Sequence, residues 1–217
     1  MFNNKVFLVT GANGAVASSI VAKFYQAQAT LVLLERQAGQ KTIQADLTKL
    51  EEAQIAVAKV IQTHGRLDGV IHTVGGFTMQ GILEYKPETY QQMLEVNLHT
   101  TVNIAAAAMP ELIKTGGFFG AIAAGQVLNG GGKNVALYSA AKAAMVLFMK
   151  SLALEVKAVR FGIVYPLGAI DTPANRRDMP NADPSTFIAP NELAEAFVYM
   201  ASRSSGGRVQ EIQVQPN

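Results

Sequence analysis

Lys5-Val6-Phe7-Leu8-Val9-Thr10 is a short apolar run that ends on glycine, and a helical run, Ser18–Gln28, follows it. A run this short, apolar at consecutive positions, reads as a strand buried on both faces, as in a parallel sheet. Between strand and helix stands Gly11-Ala12-Asn13-Gly14-Ala15-Val16-Ala17. Strand, glycine turn and helix N-terminus in that order aim backbone N–H groups at a phosphate, and small residues let a pyrophosphate come close. The same stretch also suits a tight turn that merely packs a helix on a sheet. A P-loop is excluded, because no Gly-Lys-Ser/Thr closes the turn.

The alternation continues to the end of the chain. Thr30–Leu34 is a second buried strand with Glu35 at its end, and Thr42–Ala45 is a short third one ending in Asp46. Only Gln37–Lys41 separates these two, too few residues for a crossover helix. Leu50–His64 reads as an amphipathic helix with Leu50, Ile55, Val57, Val60 and Ile61 inward. Strands at Leu67–Val74, Gly117–Ala124, Val159–Tyr165 and Val209–Val214 alternate with a helix from Pro87 to Met109, stopped by Pro110, a helix from Asn134 to Val156 and a helix at Asn191–Ala201. This predicts one α/β domain, a Rossmann-type doubly wound parallel sheet of about seven strands with helices on both faces. Pro166–Pro190 is dense in Pro, Asp and Asn and reads as a long irregular segment, a lid at about residues 168–190.

Two signals bear on chemistry. Glu35 lies where an acidic residue accepts hydrogen bonds from an adenosine ribose, and the neighbouring Arg36 could instead hold a 2′-phosphate. Glu35 would repel that phosphate, which favours NAD over NADP. Tyr138 and Lys142 are four apart on one helix and so share a face. A Lys ammonium beside a phenol favours the phenolate, which predicts a Tyr138 pKa below its ordinary value of about 10. A solvated Lys beside a half-buried Tyr would give the same spacing.

Composition excludes several classes. Apolar residues make up 49% of the 217 residues and charged ones 16%, enough for a sizeable core and too few charges for disorder. The net charge of +2 is scattered, so neither nucleic acid nor an anionic membrane is an expected partner. There is no Cys, and His64, His72 and His99 lack ligand spacing, so no metal is expected. Lys142 and Lys150 interrupt the best candidate for a membrane span. Ala15-Val16-Ala17 imitates a signal cleavage site without an adequate apolar core before it, and the expected location is the cytoplasm.

Taken together, these stretches resemble the short-chain dehydrogenase/reductase family over nearly the whole length. Thr10-Gly11-Ala12-Asn13-Gly14-Ala15-Val16-Ala17 lies where that family has Thr-Gly-x-x-x-Gly-x-Gly, with Ala15 and Ala17 in place of two glycines. His72-Thr73-Val74-Gly75 replaces Asn-Asn-Ala-Gly. The resemblance implies that Tyr138 and Lys142 are the catalytic pair and that Asn97 holds a relay water. It also implies a nicotinamide cofactor, NAD(H) preferred and NADP(H) possible. Gly11, Asn13, Gly14, Ala15 and Val16 would hold the pyrophosphate. Glu35 or Arg36, with Asp46 and Leu47, would hold the adenosine. Val74, Gly75, Gly76, Pro166 and Thr172, with Tyr138 and Lys142, would hold the nicotinamide half. A homodimer or homotetramer follows too, through helices carrying Ala105–Ala108, Ala140, Ala141, Ala143 and Ala144.

One departure narrows the resemblance. The family has a Ser thirteen residues before the Tyr, and here that neighbourhood reads Ala123-Ala124-Gly125-Gln126. The dihydropteridine reductases, a branch of the family, also lack that Ser. Their lid pattern is similar to Asp171-Thr172-Pro173-Ala174-Asn175-Arg176-Arg177-Asp178-Met179-Pro180-Asn181-Ala182-Asp183. The expected activity is hydride transfer to a C=N or C=O bond of a small molecule, with a quinonoid dihydropterin as one candidate. The alternatives are a non-enzymatic dinucleotide sensor or scaffold, favoured by the eroded glycines, and a carbonyl reductase of an unrelated metabolite.

Overall fold

In a computed structural model, residues 1–37, 39, 42–203 and 209–216 are described. Seven parallel strands form one sheet in the order β3-β2-β1-β4-β5-β6-β7. They are β1 (Val6–Thr10), β2 (Thr30–Glu35), β3 (Thr42–Gln44), β4 (Gly69–His72), β5 (Phe118–Ile122), β6 (Arg160–Pro166) and β7 (Val209–Val214). The order reverses between β1 and β4, which opens a crevice at the carboxyl ends of those two strands.

Side chains of the central strands alternate between two cores, as the period of two requires. Val6, Leu8, Val70, Phe119, Ala121, Phe161, Ile163 and Tyr165 enter one core. Its cover is α2 (Leu50–His64), α4 (Thr100–Thr115) and α6 (Ala136–Glu155), the last preceded by the single turn α5 (Gly125–Leu128). Phe7, Val9, Ile71, Phe118 and Val164 enter the other, under α1 (Ala15–Gln26) and α8 (Pro190–Ser202). Both faces being covered explains why these strands read as unbroken apolar runs.

As expected, no crossover helix stands between β2 and β3 among the described residues, and the pair is nevertheless parallel, with β3 pairing only with Leu33–Glu35 at the end of β2. Of the link between them, residues 38, 40 and 41 lie outside the described ones. Several other expectations need correcting. In α2 the buried face is Ala53, Ala56, Val57 and Val60, whereas Leu50 and Ile55 are exposed. The helix expected to stop at Pro110 runs on to Gly116, whose left-handed backbone (φ 60°) ends it. Its first part is α3 (Pro87–Leu94), and a π-turn at Glu95–His99 joins α3 to α4. Thr100 Oγ1 donates to the Val96 carbonyl and Thr101 Oγ1 to the Asn97 carbonyl, which satisfies two acceptors at that widened turn.

The segment after β6 is not wholly irregular. It holds α7 (Pro173–Asp178), capped by Thr172 Oγ1 accepting from the Asn175 amide at 3.1 Å, with Pro173 at the first helical position. At its base Ile170 bridges Ile188, and Asp171 pairs with Arg176 at 2.8 Å. Helix α6 has the length and apolar content of a membrane span, contrary to expectation. Yet Ala141, Met145, Met149 and Ala153 of that helix are buried in the fold. Ala105, Ala108 and Ala141 also lie in the chain's own core, and Ala106, Ala140 and Ala143 are exposed.

Candidate active site

The carboxyl ends of the strands gather the expected residues on one edge. Gly11 follows β1 with φ at +66°, and a Cβ there would lie 3.1 Å from Thr73 Oγ1 and 3.3 Å from the Val74 amide. Both backbone and space demand glycine. Gly14 is the last extended residue before α1, and neither a side-chain cap nor an acidic residue occupies that helix's first turn. Its leading amides are thus open to an anion. Ala15 is exposed and Val16 half-buried, while Ala17 is fully buried, so a methyl is accommodated where the family motif has its third glycine.

Glu35, at the end of β2, accepts a hydrogen bond from the Asn13 amide, which ties the acidic residue to the turn. Arg36 is exposed beside it. Asp46 accepts from the Thr48 amide at 3.0 Å and the Thr48 hydroxyl at 2.8 Å. Burial raises the Asp46 pKa, but those bonds and the Lys49 and Arg36 charges outweigh it and hold the carboxyl below its usual range. The Leu47 side chain lies in the core, so its backbone is what it can offer a ligand.

Lys142 is 5% exposed, and its ammonium donates to the Ile122 carbonyl at the end of β5 at 2.8 Å. Burial pulls its pKa from an ordinary 10.5 to about 8. Tyr138, one turn earlier, is half-buried, and Phe77 meets its ring edge-on with centroids 5.0 Å apart. Here the sequence expectation fails: burial pushes the phenol up to about 12, not down. Spacing puts the two on one face, but the ammonium is engaged by Ile122, and desolvation decides the sign. The phenol is therefore held protonated.

Asn97, in the π-turn, is buried and bonded to one neighbour in both directions. Its Oδ1 accepts from the Gly76 amide at 3.1 Å, and its Nδ2 donates to the Gly76 carbonyl at 3.0 Å and the Met93 carbonyl at 3.1 Å. A Cβ on Gly75 would lie 3.1 Å from Asn97 Oδ1 and 3.2 Å from Lys142 Nζ. The bare side of Gly75 is thus where these two groups converge. Val74 is half-buried against the α2/α4/α6 core. Pro166 ends β6, and Thr172 caps α7. Among the described residues, no group of three or more His, Asp or Glu side chains is placed to hold a metal ion.

Gly125 stands at the position of the absent Ser, and the structure gives a reason for the absence. A Cβ there would lie 2.9 Å from the Pro166 carbonyl oxygen and 3.2 Å from Leu167 Cα, both backbone atoms. The connection leaving β6 has closed over that space. Gly125→Ser is accordingly expected to destabilise the fold by about 1–3 kcal/mol through overpacking. At about 2–4 °C per kcal/mol for a chain of this size, that is a visible drop in Tm by calorimetry. An unchanged Tm would show that the connection yields.

The short chain dehydrogenase family profile matches residues 5–183. The chain belongs to the short-chain dehydrogenases. It is 26% identical to an uncharacterised oxidoreductase of Staphylococcus aureus (strain MRSA252), an alignment covering 100% of this chain and 99% of that one. Solved structures share the fold. A 3-ketoacyl-(acyl-carrier-protein) reductase from Brucella melitensis complexed with NADH superposes with a TM-score of 0.83 at 22% identity, covering 98% of each chain. An alcohol dehydrogenase from Thermococcus sibiricus complexed with 5-hydroxy-NADP gives 0.85 at 22% identity, covering 98% of this chain and 96% of that one. This short-chain dehydrogenase is an oxidoreductase on a seven-stranded Rossmann-like sheet.

Sequence reasoning missed two residues of the site. His72 ends β4, fully buried, with a threonine hydroxyl on each ring nitrogen. Burial, and secondarily the Lys142 charge, hold its pKa at about 3, so the imidazole is neutral. A polar residue closing an apolar strand was the available signal. Phe77 carries no local signal, because its contact with Tyr138 crosses 61 positions of sequence.

Proposed function

We propose that this short-chain dehydrogenase is an NADH-preferring reductase of a polarised C=N or C=O bond. Its preferred substrate carries that bond in a planar conjugated ring, as a quinonoid dihydropterin does. The observation that carries the proposal is the buried Lys142 ammonium, fixed on Ile122 at the carboxyl end of β5, one helical turn from Tyr138 and one strand beyond the β1/β4 reversal.

The residues fit a dinucleotide. The positive φ of Gly11, the uncapped start of α1 and the small Ala15 suit a pyrophosphate. Glu35 suits a ribose diol, with Arg36, Asp46 and Leu47 beside the adenine. Val74, Gly75, Gly76, Pro166 and Thr172 line the nicotinamide half. A bound reduced nicotinamide supplies a hydride. Tyr138 holds the proton that the substrate's nitrogen or oxygen takes up. Lys142 holds the ribose and replaces the proton lost from Tyr138. Asn97 orders water on the bare side of Gly75, through which Lys142 is reprotonated. The segment at about 168–190 closes over the substrate as a lid.

The closed space at Gly125 supports the conjugated ring, because a carbonyl there lacks a hydroxyl donor. Loss of one such donor costs about 10²–10³ in rate in a well-measured case. Phe77, 58% exposed and edge-on to Tyr138, offers a planar substrate an aromatic wall. NADH oxidation with a quinonoid pterin and a panel of carbonyls tests this directly. Turnover of carbonyls alone would make the protein a carbonyl reductase of another metabolite, and no turnover of any substrate would favour a dinucleotide sensor.

Two further expectations belong to the same proposal. NADH binds more tightly than NADPH, and Glu35→Ala narrows that gap about tenfold, the worth of one charge-assisted hydrogen bond. Fluorescence titrations giving equal or tighter NADPH binding in the parent protein would assign the position to Arg36. The protein, which we place in the cytoplasm, forms a homodimer or a tetramer built from it. The exposed Leu147, Leu154, Ala140 and Ala143 of α6, with Ala106 of α4, offer the contact. Light scattering at micromolar concentration gives a multiple of 23.1 kDa if so, and the monomer mass if not.

A further inference from the structure

Thr10, His72 and Thr100 are buried polar residues that no step above uses, and they form one connected chain of hydrogen bonds. Its direction follows from donor counting. Thr100 Oγ1 uses its single proton on the Val96 carbonyl at 2.9 Å, so towards His72 Nε2, at 3.2 Å, it can only accept. Nε2 therefore carries the imidazole proton. Nδ1 of the neutral ring is then an acceptor, and Thr10 Oγ1 donates to it at 2.8 Å. Three bonds run the same way, from the end of β1 to the carbonyl of the residue before Asn97. Bonds aligned like this in a dry interior polarise one another.

The two ends of this chain are the two halves of the site. Thr10 immediately precedes Gly11, and its carbonyl accepts from Thr73 Oγ1 at 2.7 Å. Thr100 immediately follows the π-turn whose Asn97 grips Gly76. We propose that His72 is a positioning residue. It is a neutral imidazole that fastens the turn after β1 to the π-turn carrying Asn97, so that cofactor binding and proton transfer share one geometry. The proposal rests on the reductase reading above. The same neutrality keeps a second buried positive charge away from Lys142, the charged group that acts on His72.

The two ring nitrogens can be tested separately. An Asn amide reaches the place of Nδ1 and keeps Thr10; a Gln amide reaches the place of Nε2 and keeps Thr100. Hydrogen–deuterium exchange is followed in residues 11–16 and 95–101, with NADH affinity by fluorescence and kcat on any accepted substrate. His72→Asn is expected to speed exchange about tenfold in 95–101 and to lower kcat more than affinity, the loss of one buried hydrogen bond. His72→Gln is expected to do the reverse, faster exchange in 11–16 and affinity lost more than kcat. Thr100→Val and Thr10→Val, which leave the ring in place, repeat the same split if either His72 variant fails to fold. Exchange rising alike in both segments, or in neither, is what a residue serving general stability gives, and it overturns the proposal. Exchange needs no substrate. A parent protein that reduces nothing would sink the reductase reading and leave the split to decide on His72.

Discussion

Tyr138→Phe is expected to lower kcat by about 10²–10⁴, the usual worth of a positioned general acid. NADH affinity should stay within about twofold, because a group engaged only in the transition state contributes to rate and not to ground-state binding. The substitution removes one oxygen and keeps the ring, so the edge-on packing against Phe77 survives and the fold is not at stake. Steady-state kinetics beside a fluorescence titration separate the two effects. Equal losses of kcat and affinity would mean that the phenol shapes the binding site rather than the chemistry.

Lys142→Met is expected to damage affinity and turnover together, by at least tenfold each, since one ammonium serves both ribose and phenol in the proposed site. Its effect on stability should have the opposite sign. The parent ammonium is buried with its pKa drawn from 10.5 to about 8, so the folded state prefers it neutral. Between those two values the unfolded chain binds more protons than the folded one, and stability gained from this group rises with pH. Below about pH 8 the full cost of the buried charge is present, on the order of 3 kcal/mol for a shift of this size. The variant should therefore melt no lower than the parent at pH 7, and the difference should shrink as pH rises towards 10.5. In kinetics, kcat/KM for NADH in the parent should fall as pH rises through about 8, and that limb should vanish in the variant. A parent profile flat from pH 7 to 9 would show that the charge on Lys142 is not needed.

Much of this was written in local sequence. The central strands are legible because burial on both faces leaves unbroken apolar runs such as Val6–Val9, and Tyr138 and Lys142 share a face by helical spacing alone. What escaped was set by contacts distant in sequence. In α2 the apolar Leu50 and Ile55 are exposed because its alanines take the inner face, which hydrophobicity does not announce. The π-turn has the residue spacing of an ordinary helix, and its widening shows only in where Thr100 and Thr101 send their protons. Helical spacing shows a cation near Tyr138 but not the burial of its phenol, and burial is what sets the direction of its pKa. The missing Ser was visible as an absence, and its reason, the Pro166 carbonyl over Gly125, lies some forty residues further along.

The most direct measurement is single-turnover NADH oxidation by Tyr138→Phe, at saturating NADH, with a substrate that the parent protein reduces. Binding and product release drop out of that experiment, and the proton transfer is exposed. A rate constant at least a hundredfold below the parent is the predicted result, within the range for a lost general acid. A rate constant equal to the parent's would contradict it, and would place the proton donor elsewhere than on Tyr138.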